Sequence, residues 1–319
     1  MIWIELITRY GKSMLITQVY AEKSGMAHDI KARNLRNLML YLLAHGKMTK
    51  LDLLQRSGLS TTTVSDLINN LLRLGVVETA GAQKSTGGRQ PALYRINNEF
   101  GLFLGITVEP HSLHMVVSDM YAHPLHQGAM QVAKGQNLLY ALYDIIDRAK
   151  SAAPNLPLLA IGLGLSGRIC FRRGIVLESP ALGWQNVPIK EILERRFGSQ
   201  TFVDSVTHQA ALYQQVLGCA QSLEGALCYF SRVPDRAALI LEGRICRGED
   251  NACLTLADGP SKEMLPRMMR MLGITTAVTD RPDLFEGVRV LPLAPDETYF
   301  EASAALSAEV LWFEQLYAM

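Results

Sequence analysis

The sequence predicts two fold classes in one chain of 319 residues: an α+β unit at the front, then an alternating α/β region. Three observations carry this. Apolar residues recur at helical spacing in three short segments before residue 75, and Gly follows each segment. A polar, Gly-rich stretch, AGAQKSTGGRQ, then separates two short β-like runs. From residue 101 onward, apolar strand-like runs alternate with amphipathic helical ones.

Residues 30–46 place Leu35, Leu38, Leu42 and Leu43 on one helical face, and Gly46 closes the segment. Thr49-Lys50-Leu51-Asp52 reads as a capping box opening a second helix, with Asp in place of Glu. A tight turn, Ser57-Gly58-Leu59, leads to Ser60, which is placed to N-cap a third helix. Val64, Ile68 and Leu71 form the inward stripe of that helix, and Gly75 ends it. Val76-Val77-Glu78 and ALYRIN then flank the Gly-rich stretch as a hairpin.

Short helix, Gly-containing turn, second helix and hairpin together read as a winged helix-turn-helix. Small hydroxylated residues at the start of the last helix let it sink into a major groove and reach base edges and phosphates. The candidate DNA contacts are Ser60, Thr61, Thr62, Ser65 and Asn69 there, with Lys50 on the preceding helix. Lys84 and Arg89 supply cations at the wing tip, where Gly87 and Gly88 permit close backbone approach to a phosphate. The alternative is a helix-turn-helix-like module used for protein contacts.

Charge agrees with this partition. Residues 1–99 carry 13 Lys and Arg against 7 Asp and Glu, and the remainder carries 18 against 23. A basic front end on a nearly neutral protein points to a local polyanion partner, double-stranded DNA. The five cysteines show no CxxC spacing, which argues for buried free thiols in a reducing compartment and against a zinc site. Glu5, Arg9 and Lys12 interrupt the apolar start, so no signal peptide is expected. No run of 18 apolar residues occurs, so no membrane span is expected. The expected location is the cytoplasm.

In the α/β region, GLFLGITVE and HMVVSDM read as antiparallel strands, and residues 136–150 as a helix. PLLAIGLGLSGRI reads as a buried strand entering a Gly-rich turn. A helix over 187–197, the strand QTFVD and a helix over 206–217 follow. ALCYF and AALILEGRI read as a strand pair, and EASAALSAEVLWFEQLY as a helix with one apolar face. The pairs His111/His114 and His123/His126 are three apart on strand or loop, where they face opposite sides and suit no metal.

From about residue 30 the chain resembles the ROK family of repressors, uncharacterised reading frames and sugar kinases, in its repressor branch. The front segment NLRNLMLYLLAHGKMTKLDLLQRSGLSTTTVSDLINNLLRLGVVE with STGGRQPALYRIN is similar to the winged helices of its glucose- and N-acetylglucosamine-responsive repressors. IGLGLSGRI and ESPALGWQNVPIKEILERRFG follow the family's order and spacing. The resemblance implies an α/β actin/hexokinase-like (RNase H-like) bilobal domain behind the DNA-binding domain. It implies a homodimer or tetramer presenting two winged helices to a pseudo-palindromic site, and a sugar or sugar-phosphate effector. The expected domains are an extension over 1–29, the winged helix over 30–98, a first lobe over 101–207, and a shortened second lobe with a C-terminal helix over 208–319.

The family's kinase residues are not at the matching positions. Its first phosphate loop, Asp-x-Gly-Gly-Thr, corresponds here to Thr107-Val108-Glu109-Pro110-His111, with a carboxylate where phosphates would sit and a Pro that removes an amide donor. The second loop corresponds to SRVPDR, which has no Gly. The family's Asn-Asp pair falls on Ser205 and Val206, and Val206 cannot act as a base; Asp204 is two residues away. The sugar-contacting Asn falls on Ala181, and the family's zinc motif is absent. Together with Ser166 and Gly167, these positions, Ala181, Ser205 and Val206, make the candidate ligand cleft. No catalytic residue, metal ligand or cofactor is assigned. The expectation is a DNA-binding transcription regulator of sugar-related genes, a repressor, with a catalytically inactive lobe pair. The alternatives are a regulator whose lobes bind a protein partner, and a sugar kinase.

Overall fold

The structure is a computed structural model that describes residues 26–82, 90–221, 223–233, 236–247, 254–255, 261–293 and 300–316. The front unit is built from α1 (Met26–His45), β1 (Met48–Thr49), α2 (Lys50–Ser57), α3 (Thr61–Leu74), β2 (Val77–Ala82) and β3 (Ala92–Ile96). Its strands form one antiparallel sheet in the order β1-β3-β2. β1 is too short to show a period-2 pattern in the sequence. The apolar stripe residues expected in the first and third helices are buried, as is Leu53 of α2, while Leu54 is half-buried. Leu51 lies on the other side of α2 and is exposed.

The first lobe has a five-stranded sheet formed by β4 (Leu102–Glu109), β5 (Ser112–Ser118), β6 (Pro124–Gln131), β7 (Leu158–Leu165) and β11 (Gln200–Ser205), in the order β11-β7-β4-β5-β6. The edge strand β6 was not expected, because its polar, exposed residues carry no apolar alternation. The helix α4 (Leu138–Ala152) follows β6, and α5 (Ile189–Phe197) precedes β11. A small sheet of β8 (Arg168–Cys170), β9 (Ile175–Ser179) and β10 (Trp184–Val187) rises from the end of β7. The helix α6 (Val206–Val216) leads to the second lobe.

There β12 (Gly225–Tyr229), β13 (Arg236–Leu241), β14 (Arg244–Cys246), β16 (Thr276–Thr279) and β17 (Arg289–Pro292) lie in the order β14-β13-β12-β16-β17, with β15 (Leu254–Thr255) beside β13. Numbered within each lobe, both main sheets read 3-2-1-4-5. In each, the first three strands are antiparallel and the last two run parallel to the first. The second sheet is therefore whole. Among the described residues α6 packs on one face of it and α7 (Met264–Leu272) on the other, before the chain returns to the first lobe.

The C-terminal helix α8 (Phe300–Gln315) corrects the expected partition. It does not finish the second lobe, and it does not have one apolar face. Residues Ser303 through Val310 are all buried, because α8 lies across the first-lobe sheet on one side and against α1 and α6 on the other. Close approach to β7 depends on Gly162, where a Cβ would overlap the carbonyl oxygen of Ala304. Trp312 and Phe313 pack edge-on to Phe103, with centroids 5.6 and 6.5 Å away. One apolar cluster runs without a break from Leu35 and Leu38 of α1 through Phe103 to Leu306 and Phe313 of α8. The Arg36–Glu314 ion pair, at 2.7 Å, closes its rim.

A second tie joins the winged helix to the first lobe. Tyr121, in the turn after β5, donates its hydroxyl to the Ile96 carbonyl and accepts from the Ile96 amide. Asn98 donates to the Asp119 carboxylate at 3.0 Å. Asp119 also accepts from the amides of Tyr121 and His123 and from the ring of the exposed His123.

Glu309, midway along α8, is fully buried, and neither carboxyl oxygen has a hydrogen-bond partner among the described residues. Burial, reinforced by the Asp119 carboxylate, pushes its pKa well above the ordinary carboxylate range. A carboxyl raised in the folded state costs stability as pH climbs above its unfolded value of about 4.3. Glu309→Gln is therefore expected to melt at least ~2 °C above wild type at pH 8, with the gap narrowing towards pH 4. Thermal denaturation at both pH values decides this, and an equal gap at both would remove the carboxyl as its cause.

Candidate nucleic-acid interface

The helix-turn-helix is held by side chains the sequence places locally. Thr49 Oγ1 accepts from the Asp52 amide at 3.1 Å, and Asp52 accepts from the Thr49 amide at 2.8 Å, a reciprocal cap on α2. Those bonds hold the Asp52 carboxyl below its usual pKa. Gly58 ends α2 in the left-handed region, at φ 67°. Ser60 then caps α3, its hydroxyl accepting from the Thr63 amide at 3.1 Å. Val64, Leu67, Ile68 and Leu71 anchor α3 in the core.

That anchoring leaves Thr61, Thr62 and Asn69 exposed and Ser65 half-buried. No acidic residue stands in the first turn of α3, so its amide end is open to an anion. Lys50 and Asn69 meet: Lys50 Nζ donates to Asn69 Oδ1 at 3.5 Å and lies 5.8 Å from the centre of the Tyr94 ring. Ser60 is occupied as the cap. Lys84 and Arg89 lie outside the described residues. Arg73, exposed at the far end of α3 and donating to Asn70 at 2.7 Å, is a cation the sequence reading did not select.

The candidate cleft residues line neither of two surface cavities among the described residues. Ser166 is half-buried, and its carbonyl accepts from the Ser179 hydroxyl at 2.7 Å. Gly167 has φ 145°, and a Cβ there would meet the Glu178 carbonyl at 2.5 Å, so its freedom serves the β8–β9 corner. Ala181 is exposed. Ser205 caps α6 and is buried, and Val206 belongs to the second-lobe core. Two surface cavities, of about 380 and 330 Å³, lie elsewhere, the first beside Lys190, Gln200 and Gln315 and the second beside Lys150, Leu156 and Phe197.

Two ion pairs join the lobes. Asp204, at the end of β11, is fully buried. It accepts from Arg247 of the second lobe at 2.6 Å, from His208 at 3.0 Å and from the Ser205 amide at 2.8 Å. Burial opposes its ionisation, but Arg247 and His208 outweigh that and bring its pKa to about 2. Arg247 also lies over the Phe171 ring, 4.1 Å from its centre. Across the cleft, Arg232 donates twice to one oxygen of Glu109, at 3.1 and 2.5 Å. Burial raises the Glu109 pKa, yet bonds from Arg232 and Ser112 hold it below the usual value. His114 sits between Ser112 and Glu109, and His123 pairs with Asp119, so both histidines serve local ion pairs and hydrogen bonds. Cys170 and Cys228 are buried as expected, but Cys219 is exposed in the turn after α6.

The family description "Winged helix-turn-helix DNA-binding" matches residues 32–78. The xylose repressor of Caldicellulosiruptor bescii is 29% identical over 195 residues, 60% of this chain and 49% of its own. The Escherichia coli K12 DNA-binding transcriptional dual regulator NagC is 23% identical over 213 residues, 65% of this chain and 52% of its own. The chain thus spans about half the length of the curated relatives it matches. The crystal structure of a ROK family transcriptional regulator, a homologue of the E. coli MLC protein, superposes with a TM-score of 0.66 at 15% identity, covering 90% of this chain and 98% of that one. The chain thus shares the fold of a ROK family regulator along most of its length. The ROK hexokinase of Thermus thermophilus superposes with a TM-score of 0.51 at 18% identity, covering 65% of this chain and 98% of that one.

In this fold Glu109, at the end of β4, and Arg232, between β12 and β13, bind each other. Asp204 is spent on Arg247 and His208. Sequence reasoning singled out Glu109 and Asp204. It did not find Arg232 and Arg247, because no local pattern marks a cation whose partner lies over 40 residues away.

Arg247→Ala leaves a buried carboxylate without its main cation and is expected to cost about 3–5 kcal/mol. The depressed pKa of Asp204 contributes stability above its ordinary value of 3.8, lost as pH falls towards about 2. Denaturant titrations at pH 4.5 and 2.5 should show wild type losing more stability between them than Arg247→Ala. An equally steep loss in the variant would detach the shift from Arg247.

Proposed function

We propose that this chain is a sequence-specific DNA-binding transcription regulator, a repressor of sugar-related genes, whose ROK lobes are catalytically inactive. The observation that carries it is the exposed, acid-free amino end of α3, with Thr61 and Thr62, in a segment matching a winged helix-turn-helix description. Thr61, Thr62, Ser65 and Asn69 read the groove. Lys50, Lys84 and Arg89 contact phosphates, and Ser60 acts by holding the helix end. Repressors among the sequence relatives support the direction of regulation and the sugar-related targets. The chain works in the cytoplasm as a homodimer or tetramer that presents two winged helices to a pseudo-palindromic site.

In a ROK lobe pair the expected signal is a sugar or sugar-phosphate. One observation favours a protein partner instead: ion pairs between the lobes occupy the region where such a ligand would sit. Calorimetric titration with xylose, glucose and their phosphates separates the two, heat of binding supporting the first and its absence the second.

The regulator assignment is tested by selecting genomic fragments with the purified protein and titrating binding with salt. Sequence-selective binding is expected, with a log–log salt slope that falls by about one in Arg89→Ala. Binding no tighter to any fragment than to random DNA would overturn the assignment.

A further inference from the structure

We propose that the chain closes its own interlobe cleft without a ligand, using Arg232 and Arg247 of the second lobe, and that α8 carries this closed geometry to the winged helix. Two ion pairs cross the cleft at separate points. Arg247–Asp204 is buried on the acid's side and backed by His208 and the Phe171 ring. Arg232–Glu109 lies at the cleft mouth, where each side chain keeps over a third of its exposure. Solvent screens the outer pair, so the inner one supplies most of the hold and the outer one sets the alignment. A nucleotide phosphate entering here would meet the Glu109 carboxylate and find its cation already taken.

The same arginine touches the transmitting helix. The Arg232 guanidinium lies 5.1 Å from the centre of the Phe300 ring, and Phe300 is the first residue of α8. Phe300 packs edge-on to Phe230 and belongs to the second-lobe core. At the other end of α8, Trp312, Phe313 and Leu316 belong to the cluster that holds α1, and Glu314 is paired with Arg36. One helix of 16 residues, about 24 Å long, therefore has one end under the cleft and the other in the DNA-binding unit. It is packed on all sides through its middle, so it transmits displacement as a rod.

The test uses the full chain with spin labels carried by p-azidophenylalanine at positions 140 and 271, both exposed, one on each lobe. A single narrow interlobe distance is expected without ligand, unchanged by magnesium ATP, xylose or glucose. Arg232→Glu, which sets two carboxylates face to face, should lengthen and broaden it. The exchange Glu109→Arg with Arg232→Glu should restore it, which a merely misfolded variant would not do. A broad distribution in wild type, narrowing on adding ATP or a sugar, overturns closure, as does an exchange variant that resembles Arg232→Glu. The DNA arm rests on the regulator assignment: affinity for the selected fragment should change at least threefold in Arg232→Glu and return in the exchange. Unchanged affinity despite a lengthened distance overturns the role of α8. If wild type selects no fragment, the regulator assignment fails while the distances still decide closure.

Discussion

Burial of α8 between the first-lobe sheet and the winged helix is the constraint on which the rest of the molecule depends. From Ser303 to Val310 the helix is Ala, Ser, Leu and Val apart from Glu309, so this stretch has almost no polar face to give to water and is covered on every side. The sheet covers one side only because Gly162 lets backbone approach backbone. Helices α1 and α6 cover the others. The consequence is an uninterrupted apolar core from the DNA-binding helices into the first lobe. The winged helix is thereby mounted on the lobe, with Tyr121 and Asn98 fixing the base of the wing as a second point of attachment.

Two buried carboxyls show what that packing does to charge. Glu309 and Asp204 both lose their water. Asp204 finds a guanidinium, an imidazole and an amide, and stays ionised. Glu309 finds another acid, Asp119, and favours the proton. Desolvation acts in the same direction on both, so the partners decide the outcome. Their placement differs accordingly: Asp204 joins two lobes through Arg247, whereas Glu309 lies buried midway along α8.

The lobes separate architecture from chemistry. Both main sheets keep the 3-2-1-4-5 order. Glu109 and Arg232 pair across the space between them. Architecture depends on many apolar contacts spread over the sheet, whereas phosphate binding depends on a few amides with free donors.

The sequence by itself determined the local devices: the Thr49–Asp52 cap, the Ser60 cap, the glycine helix ends, the buried stripes of α1 and α3, and the alternation of strands and helices in the lobes. These are legible because each is a matter of neighbours within about one helical turn. Only the tertiary structure decided where α8 belongs, that β6 completes an edge, that Lys50 meets Asn69, and that Arg232 and Arg247 reach Glu109 and Asp204. Each of those is a contact between distant parts of the chain. A side chain's type says what it can pair with, and only the fold brings the partner within reach.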